Sequence, residues 1–203
     1  MSGVGAKADV LVVDVPGGSV IVKDFSKRRA WVRGLGRLQV RREAAAYRWL
    51  AGVAGVPAFV GVIDPLALAI ERIDGQRLAF ASLPSADGLR CIVELRGILD
   101  AIHGRGVIHN DLRGRENVLL RPDGGLAVVD FAGAVRLRPG GLAHRLFFRL
   151  LAVADEAAFL KWKGMIAPGS YTPEDEAFLR RFERWRVWWP FNLKRRKANS
   201  RVA

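Results

Sequence analysis

The sequence predicts an α+β fold, with a small β-rich N-terminal lobe and a reduced α-helical C-terminal lobe. Three observations carry this expectation. Short β-branched runs alternate with turn residues through the first third of the chain. From Ala86 onward, apolar residues recur mainly at helical spacing. The change falls at Ile73-Asp74, which divides the chain into 1–73 and 74–203.

The elements follow in order. Val10 to Val15 and Ser19 to Phe25 are apolar, β-branched runs around the turn Pro16-Gly17-Gly18, a hairpin pattern. Ser26 to Gly36 is basic and reads as irregular, and Leu38 to Leu50 reads as a helix with Glu43 in its middle. Phe59 to Ile63 and Leu66 to Ile73 are expected strands on either side of Asp64-Pro65. Ala86 to His103 is a strong amphipathic helix, ended by Gly104 and Gly106. Short apolar strands are expected at Val107-Ile108, Val118 to Leu120 and Ala127 to Val129. Three helices are expected after Gly140: Leu142 to Val153, Glu156 to Lys163 and Glu174 to Trp189.

Composition narrows the classes. The chain has 203 residues, half of them hydrophobic, enough for one mid-sized core or two lobes sharing a cleft. A net charge of +13 attracts polyanions such as nucleic acid, anionic lipid or phosphorylated substrates. The single cysteine, Cys91, sits in an apolar helical pattern and reads as a core residue; no intrachain disulfide can form. The first residues lack the pattern of a signal peptide. The most apolar stretch, Ala51 to Ile70, is broken by Pro57, Asp64 and Pro65, so no spanning helix is expected. A cytoplasmic protein is expected, with the option of a peripheral position on the inner membrane face.

Two polar islands between buried strands could carry chemistry. His109 to Asn117 lies between Val107-Ile108 and Val118 to Leu120, so both of its ends are held. In it, Asp111 could orient or accept a hydroxyl proton, and Asn117 could offer a side-chain oxygen to a metal. Asp130 directly follows a strand and precedes the small residues Ala132 and Gly133, a good position for a metal-binding carboxylate. Asp111 and Asp130 are 19 residues apart, the span of one hairpin turning at Asp123-Gly124-Gly125. Neither His103 nor His144 has metal-ligand spacing, and both read as surface or helix-end residues. Glu116 reads as solvated.

Taken together, these segments resemble the protein-kinase superfamily. His109-Asn110-Asp111-Leu112 with Asn117 is similar to the kinase catalytic loop, and Asp130-Phe131-Ala132 to its Asp-Phe-Gly motif. Val20 to Lys23 resembles the Val-Ala-Ile-Lys strand. Glu43 is the sole acid after Asp24 up to that helix, and Ala69 to Ile73 resembles the hinge. The resemblance is close from about Val20 to Ala134. It implies a two-lobed kinase-like fold and transfer of the γ-phosphoryl group of ATP to a hydroxyl. Lys23 would position the α- and β-phosphates and Glu43 would hold Lys23. Backbone groups of Glu71 and Ile73 would meet adenine. Asp111 would orient the acceptor, Asn117 and Asp130 would hold Mg²⁺, and Arg113 or Arg115 would offset charge on the transferred group. His109 would buttress the loop.

Four departures refine the likeness. Five residues separate Asp111 from Asn117, one more than in the usual motif. The glycine-rich loop is reduced to Ser2 to Gly5 with Lys7. No Ala-Pro-Glu motif follows, and Ala132 stands where the motif has glycine. In these respects the chain resembles compact bacterial RIO-like kinases and the sugar kinases of lipopolysaccharide. Such a likeness implies a protein Ser/Thr as acceptor, or a lipid-linked sugar such as a lipopolysaccharide core residue. A non-catalytic nucleotide-binding scaffold is the third reading. The tail from Arg180 to Lys197 mixes Phe182, Trp185, Trp188, Trp189 and Phe191 with eight cations. It reads as a foot on an anionic membrane surface, as a nucleic-acid surface, or as a helix packed by its Trp residues.

Overall fold

The computed structural model describes residues 7–186. The fold is of the α+β class. Strands β1 (Asp9–Val15), β2 (Gly18–Asp24), β3 (Phe59–Asp64) and β4 (Ala67–Glu71) form an antiparallel sheet in the order β1-β2-β4-β3. The register sets Lys23 opposite Val10 on one side and Leu68 on the other. Lys23 therefore sits in the sheet's interior, between an edge strand and the apolar β4. β1 is an edge, and Val10 to Val13 and Val15 are all exposed.

Helix α1 (Ala30–Trp49) covers this sheet, burying Val32, Val40, Ala44 and Tyr47. The helix begins well before the expected Leu38, so the basic segment read as irregular is largely helical. Gly34 and Gly36 obscured this, because glycine inside a helix costs about 1 kcal/mol relative to alanine. At Gly36 the small residue is required by packing. A Cβ there would lie 2.6 Å from Phe25 Cγ, and Phe25 is buried. At Gly34 nothing lies within 4 Å of the same atom. Gly36→Ala is expected to lower stability by about 1–3 kcal/mol through overpacking. Gly34→Ala is expected to raise it by up to about 1 kcal/mol. Urea unfolding of both variants checks the pair, and equal effects would contradict the packing argument.

Helix α2 (Ser85–Gly104) follows a 3₁₀ turn at Leu78–Phe80. Two small sheets come next. β5 (Gln76–Arg77), β7 (Val118–Leu120) and β8 (Leu126–Val128) form one, in the order β5-β7-β8. β6 (Val107–Ile108) and β9 (Val135–Arg136) form the other. The β7–β8 hairpin turns at Asp123 to Gly125 as expected. The two-residue strands β5 and β9 are too short to show any alternation in sequence.

Helix α3 (Leu142–Ile166) is continuous, where a break near Ala154 and Asp155 was expected. The acid that looked like a helix boundary is instead fully buried on the packed face, among Ala152, Ala158 and Phe159. Helix α4 (Pro173–Arg186) packs on α3. The expected extension to Trp189, the Trp-rich segment beyond Arg186 and the reduced glycine-rich loop at Ser2 to Gly5 lie outside the described residues. Among the described residues, no helix is long and apolar enough to cross a membrane. One apolar cluster runs from Phe25 and Tyr47 through Leu95 and Phe131 to Trp162, so sheet, helices and polar loops share a core. Cys91 is fully buried within it, as expected.

Candidate active site

The site starts from Lys23. β2 carries its side chain toward α1, where Glu43 lies almost completely buried. Lys23 Nζ is 2.5 Å from Glu43 Oε1 and 2.7 Å from Asp130 Oδ1. One ammonium thus joins the sheet, α1 and the turn after β8, three elements far apart in sequence. Burial works against the Lys23 ammonium, but the charges of Glu43 and Asp130 outweigh it and hold its pKa above the ordinary lysine value. For Glu43 burial wins, and its carboxyl sits above the ordinary value. For half-buried Asp130, Lys23 overcomes desolvation and holds the carboxyl below the ordinary value.

Asp130 has φ 68°, and Asn110, in the facing loop, has φ 62°. These are the two non-glycine residues with positive φ among those described, and both belong to this site. Such conformations cost on the order of 1 kcal/mol or more and persist only where the surroundings impose them. Asn110 Nδ2 donates to Gly133 O at 3.4 Å, linking the loop to the turn Phe131–Gly133.

The loop from His109 to Asn117 is clamped from beneath. Asp155 of α3 accepts the backbone N–H groups of His109 and Asn110, each at 2.7 Å, and lies 3.0 Å from His103 Nε2. Trp162 Nε1 donates to Leu112 O at 2.9 Å. His109 Nε2 lies 3.0 Å from Val129 O, and Asp111 N donates to His109 Nδ1 at 3.3 Å. A ring nitrogen facing a carbonyl must donate, so Nε2 carries a proton and His109 braces the loop. Phe131 lies between Tyr47, edge-on at 5.2 Å, and His109, tilted at 4.8 Å, which ties α1 to both loops through aromatic contact.

The extra residue before Asn117 is absorbed by two successive turns. Gly114 N donates to Asp111 O at 3.0 Å, and Asn117 N donates to Gly114 O at 3.2 Å. The glycine is needed because a Cβ at 114 would lie 2.7 Å from Asn117 Nδ2. Asn117 is buried, and its Nδ2 donates to Asp111 O at 2.7 Å. Its Oδ1 is buried with no hydrogen-bond partner. An orphaned buried carbonyl oxygen is costly unless a cation or donor completes it. Asn117 therefore fits the role of a metal ligand, and its amide oxygen and the Asp130 carboxylate are hard donors suited to Mg²⁺. Among the described residues, no group of three or more His, Cys, Asp or Glu could hold an ion. A metal here would need further oxygens from a ligand, such as phosphate.

Asp111 is exposed at the loop's surface, as are Arg113, Arg115 and Glu116. Lys161 Nζ donates to Arg113 O at 3.2 Å, and burial together with Arg113 and Arg115 pushes the lysine below its ordinary value. Glu71 ends β4, and Ile73 follows it, half-buried. The Glu71 N–H already donates to Ala58 O at 2.8 Å, and its carboxylate accepts the Ala58 N–H at 2.8 Å. So the N–H of Glu71 is committed to the protein, which narrows the backbone groups this segment can offer. Of the anticipated residues, Lys23, Glu43 and Asp130 meet directly, and Asp111 and Asn117 share one hydrogen-bonded loop.

Sequence reasoning missed Asp155, Trp162 and Tyr47. His103 is the helix-end residue expected, in the last turn of α2. It is mostly buried, 3.0 Å from Asp155 and edge-on to Phe148. The signal for Asp155 was its place, beside Glu156, inside the otherwise apolar stretch Leu150 to Leu160, where burial demands partners.

No protein-family profile matches the chain. Individual proteins do. A CBL-interacting protein kinase of Oryza sativa subsp. japonica is 31% identical over 138 residues, covering 63% of this chain and 34% of that protein. CBL-interacting serine/threonine-protein kinase 16 of Arabidopsis thaliana is 28% identical over 136 residues, 64% of this chain and 29% of its own length. Calcium-dependent protein kinase 5 of Oryza sativa subsp. japonica is 29% identical over 110 residues, 51% of this chain and 20% of its own. The chain thus spans about a third or less of the curated relatives it matches. These distant, partial similarities support a protein-kinase-like family and a kinase-like enzyme in general.

Proposed function

We propose that this chain is an ATP-dependent phosphotransferase with a compact, two-lobed, RIO-like architecture, moving the γ-phosphoryl group of ATP to a serine or threonine hydroxyl of a protein. The observation that carries this reading is the buried clamp of Lys23 between Glu43 and Asp130. A lysine held between two carboxylates is positioned without being neutralised, which suits it to meet phosphate oxygens. Lys23 then orients the α- and β-phosphates, and Glu43 fixes Lys23. Asp111, exposed above a braced loop, orients the acceptor hydroxyl. Arg113 or Arg115 faces the charge on the transferred group. The Glu71 carbonyl and the Ile73 backbone meet adenine. Asn117 and Asp130 are the residues that would hold Mg²⁺, which when bound offsets phosphate charge. The serine/threonine acceptor is supported by the names of the related proteins. A lipid-linked sugar is the second reading, favoured by the strong positive charge of the chain. Both place the protein in the cytoplasm, the second at the inner membrane face.

The experiment is a thermal melt of the full chain with ATP, with and without Mg²⁺. Bound ligand stabilises by mass action, by about 2.7 kcal/mol at a hundredfold excess over Kd. For a domain of this size that corresponds to roughly 5–10 °C. Asp111→Asn should keep this shift while phosphate transfer in labelled lysate falls by about 10²–10⁴-fold. A chain with no ATP-dependent shift would not be a kinase. One that shifts but labels neither protein nor lipid would be a nucleotide-binding scaffold.

A further inference from the structure

The helical start of α1 creates a surface that the proposed chemistry does not use. Trp31, Leu35 and Leu38 follow the i, i+4, i+7 spacing and lie along one line of the helix. They are 61%, 57% and 49% exposed, although Val32, Gly36 and Val40 beside them are buried. A row of large apolar side chains left in water on a helix that is otherwise well packed needs a partner.

The surroundings of the row identify the chemistry of that partner. From Ser26 to Arg42 the chain carries seven Lys or Arg and no Asp or Glu. Arg37 and Arg41, both exposed, run along one flank of the row, and Arg42 sits in line with it one turn further on. The first turn of α1 contains no acid, and its N-cap makes no side-chain hydrogen bond. Arg28 is already paired with Asp9, but Arg29 at the N-cap and Arg33 in the first turns face no acid of the helix, an arrangement that an external anion relieves.

We infer that the N-terminal half of α1 is a docking surface for an anionic lipid bilayer. The apolar row enters the interface, Trp31 sits at headgroup depth, and the bordering arginines meet acidic headgroups. Nucleic acid fits less well. Leu35 and Leu38 cannot stack on bases, and the cations border the contact row instead of filling it. The inference is independent of the phosphotransfer reading, because none of these residues belongs to the Lys23 clamp or its loops.

The test is co-sedimentation of the full chain with vesicles of phosphatidylcholine, alone or mixed with phosphatidylglycerol. Binding to the mixed vesicles alone is expected, and it should weaken as salt rises. Trp31→Ser/Leu38→Ser should lower partitioning at least about tenfold, or roughly 1.4 kcal/mol. Arg37→Gln/Arg41→Gln should lower it severalfold, and both variants should melt like the wild type because their side chains are exposed. If both variants bind anionic vesicles as tightly as the wild type, the inference is overturned. It is equally overturned if the chain ignores vesicles, or if it binds a single-stranded oligonucleotide in preference to them.

Discussion

Replacing Asp155 with alanine is expected to cost about 3–5 kcal/mol of stability, a large part of the 5–15 kcal/mol typical of a domain. The residue is 0% exposed and accepts two backbone N–H groups at 2.7 Å, with His103 Nε2 at 3.0 Å. Alanine would leave the N–H groups of His109 and Asn110 without an acceptor, each costing about 1–3 kcal/mol when buried. Asparagine would not rescue the loss, since one of its two terminal atoms is itself a donor. The positive φ of Asn110 would lose the tether that helps impose it, so the loop carrying Asp111 should loosen. Urea unfolding measures the first effect and amide exchange at His109 and Asn110 the second. A loss below about 1 kcal/mol would show that the clamp is not structural.

Lys23→Met is the second large effect, and pH reveals its cause. It removes the counter-charge of Glu43, whose side chain is only 2% exposed. Breaking a buried pair on one side costs about 3–5 kcal/mol. Burial already holds the Glu43 carboxyl above its ordinary 4.5, and losing Lys23 raises it further. A carboxyl with a folded-state pKa above its unfolded value takes up its proton more readily in the folded state. The penalty is therefore full at neutral pH and shrinks as pH falls through that raised value toward 4.5. The stability gap between wild type and variant should narrow as pH falls from neutral toward 4.5, and a gap that does not change with pH would sink this account. Lys23→Met/Glu43→Met should recover much of the stability and none of the ATP-dependent shift.

How far the site was legible depends on what kind of neighbour each residue has. Asp111, Asn117 and Asp130 could be found because they stand in polar islands between short apolar runs, and such islands keep their meaning without tertiary information. The Lys23–Glu43 pair could be found through the resemblance of Val20 to Lys23 to the kinase strand, since no acid lies between Asp24 and Glu43 to rival the assignment. Asp155 was marked only by its place in a largely apolar run, because its partners are main-chain groups some 45 residues away, which leave no mark on composition. The start of α1 was hidden for a related reason. Gly36 lowers helix propensity locally, and the close approach of Phe25 that makes glycine necessary is a tertiary fact. The short strands β5 and β9 owe their existence to the partners β7 and β6, not to any pattern of their own.

The way Asp155 holds the loop bears on how the protein can change over generations. It binds main-chain N–H groups, which every residue but proline possesses. The side chains at 109 and 110 can therefore be exchanged without loss of the anchor. What the anchor filters at position 110 is shape: the left-handed backbone admits Asn, Asp or Gly readily and penalises β-branched residues. The loop's outward side chains can drift while one buried carboxylate keeps the loop in place.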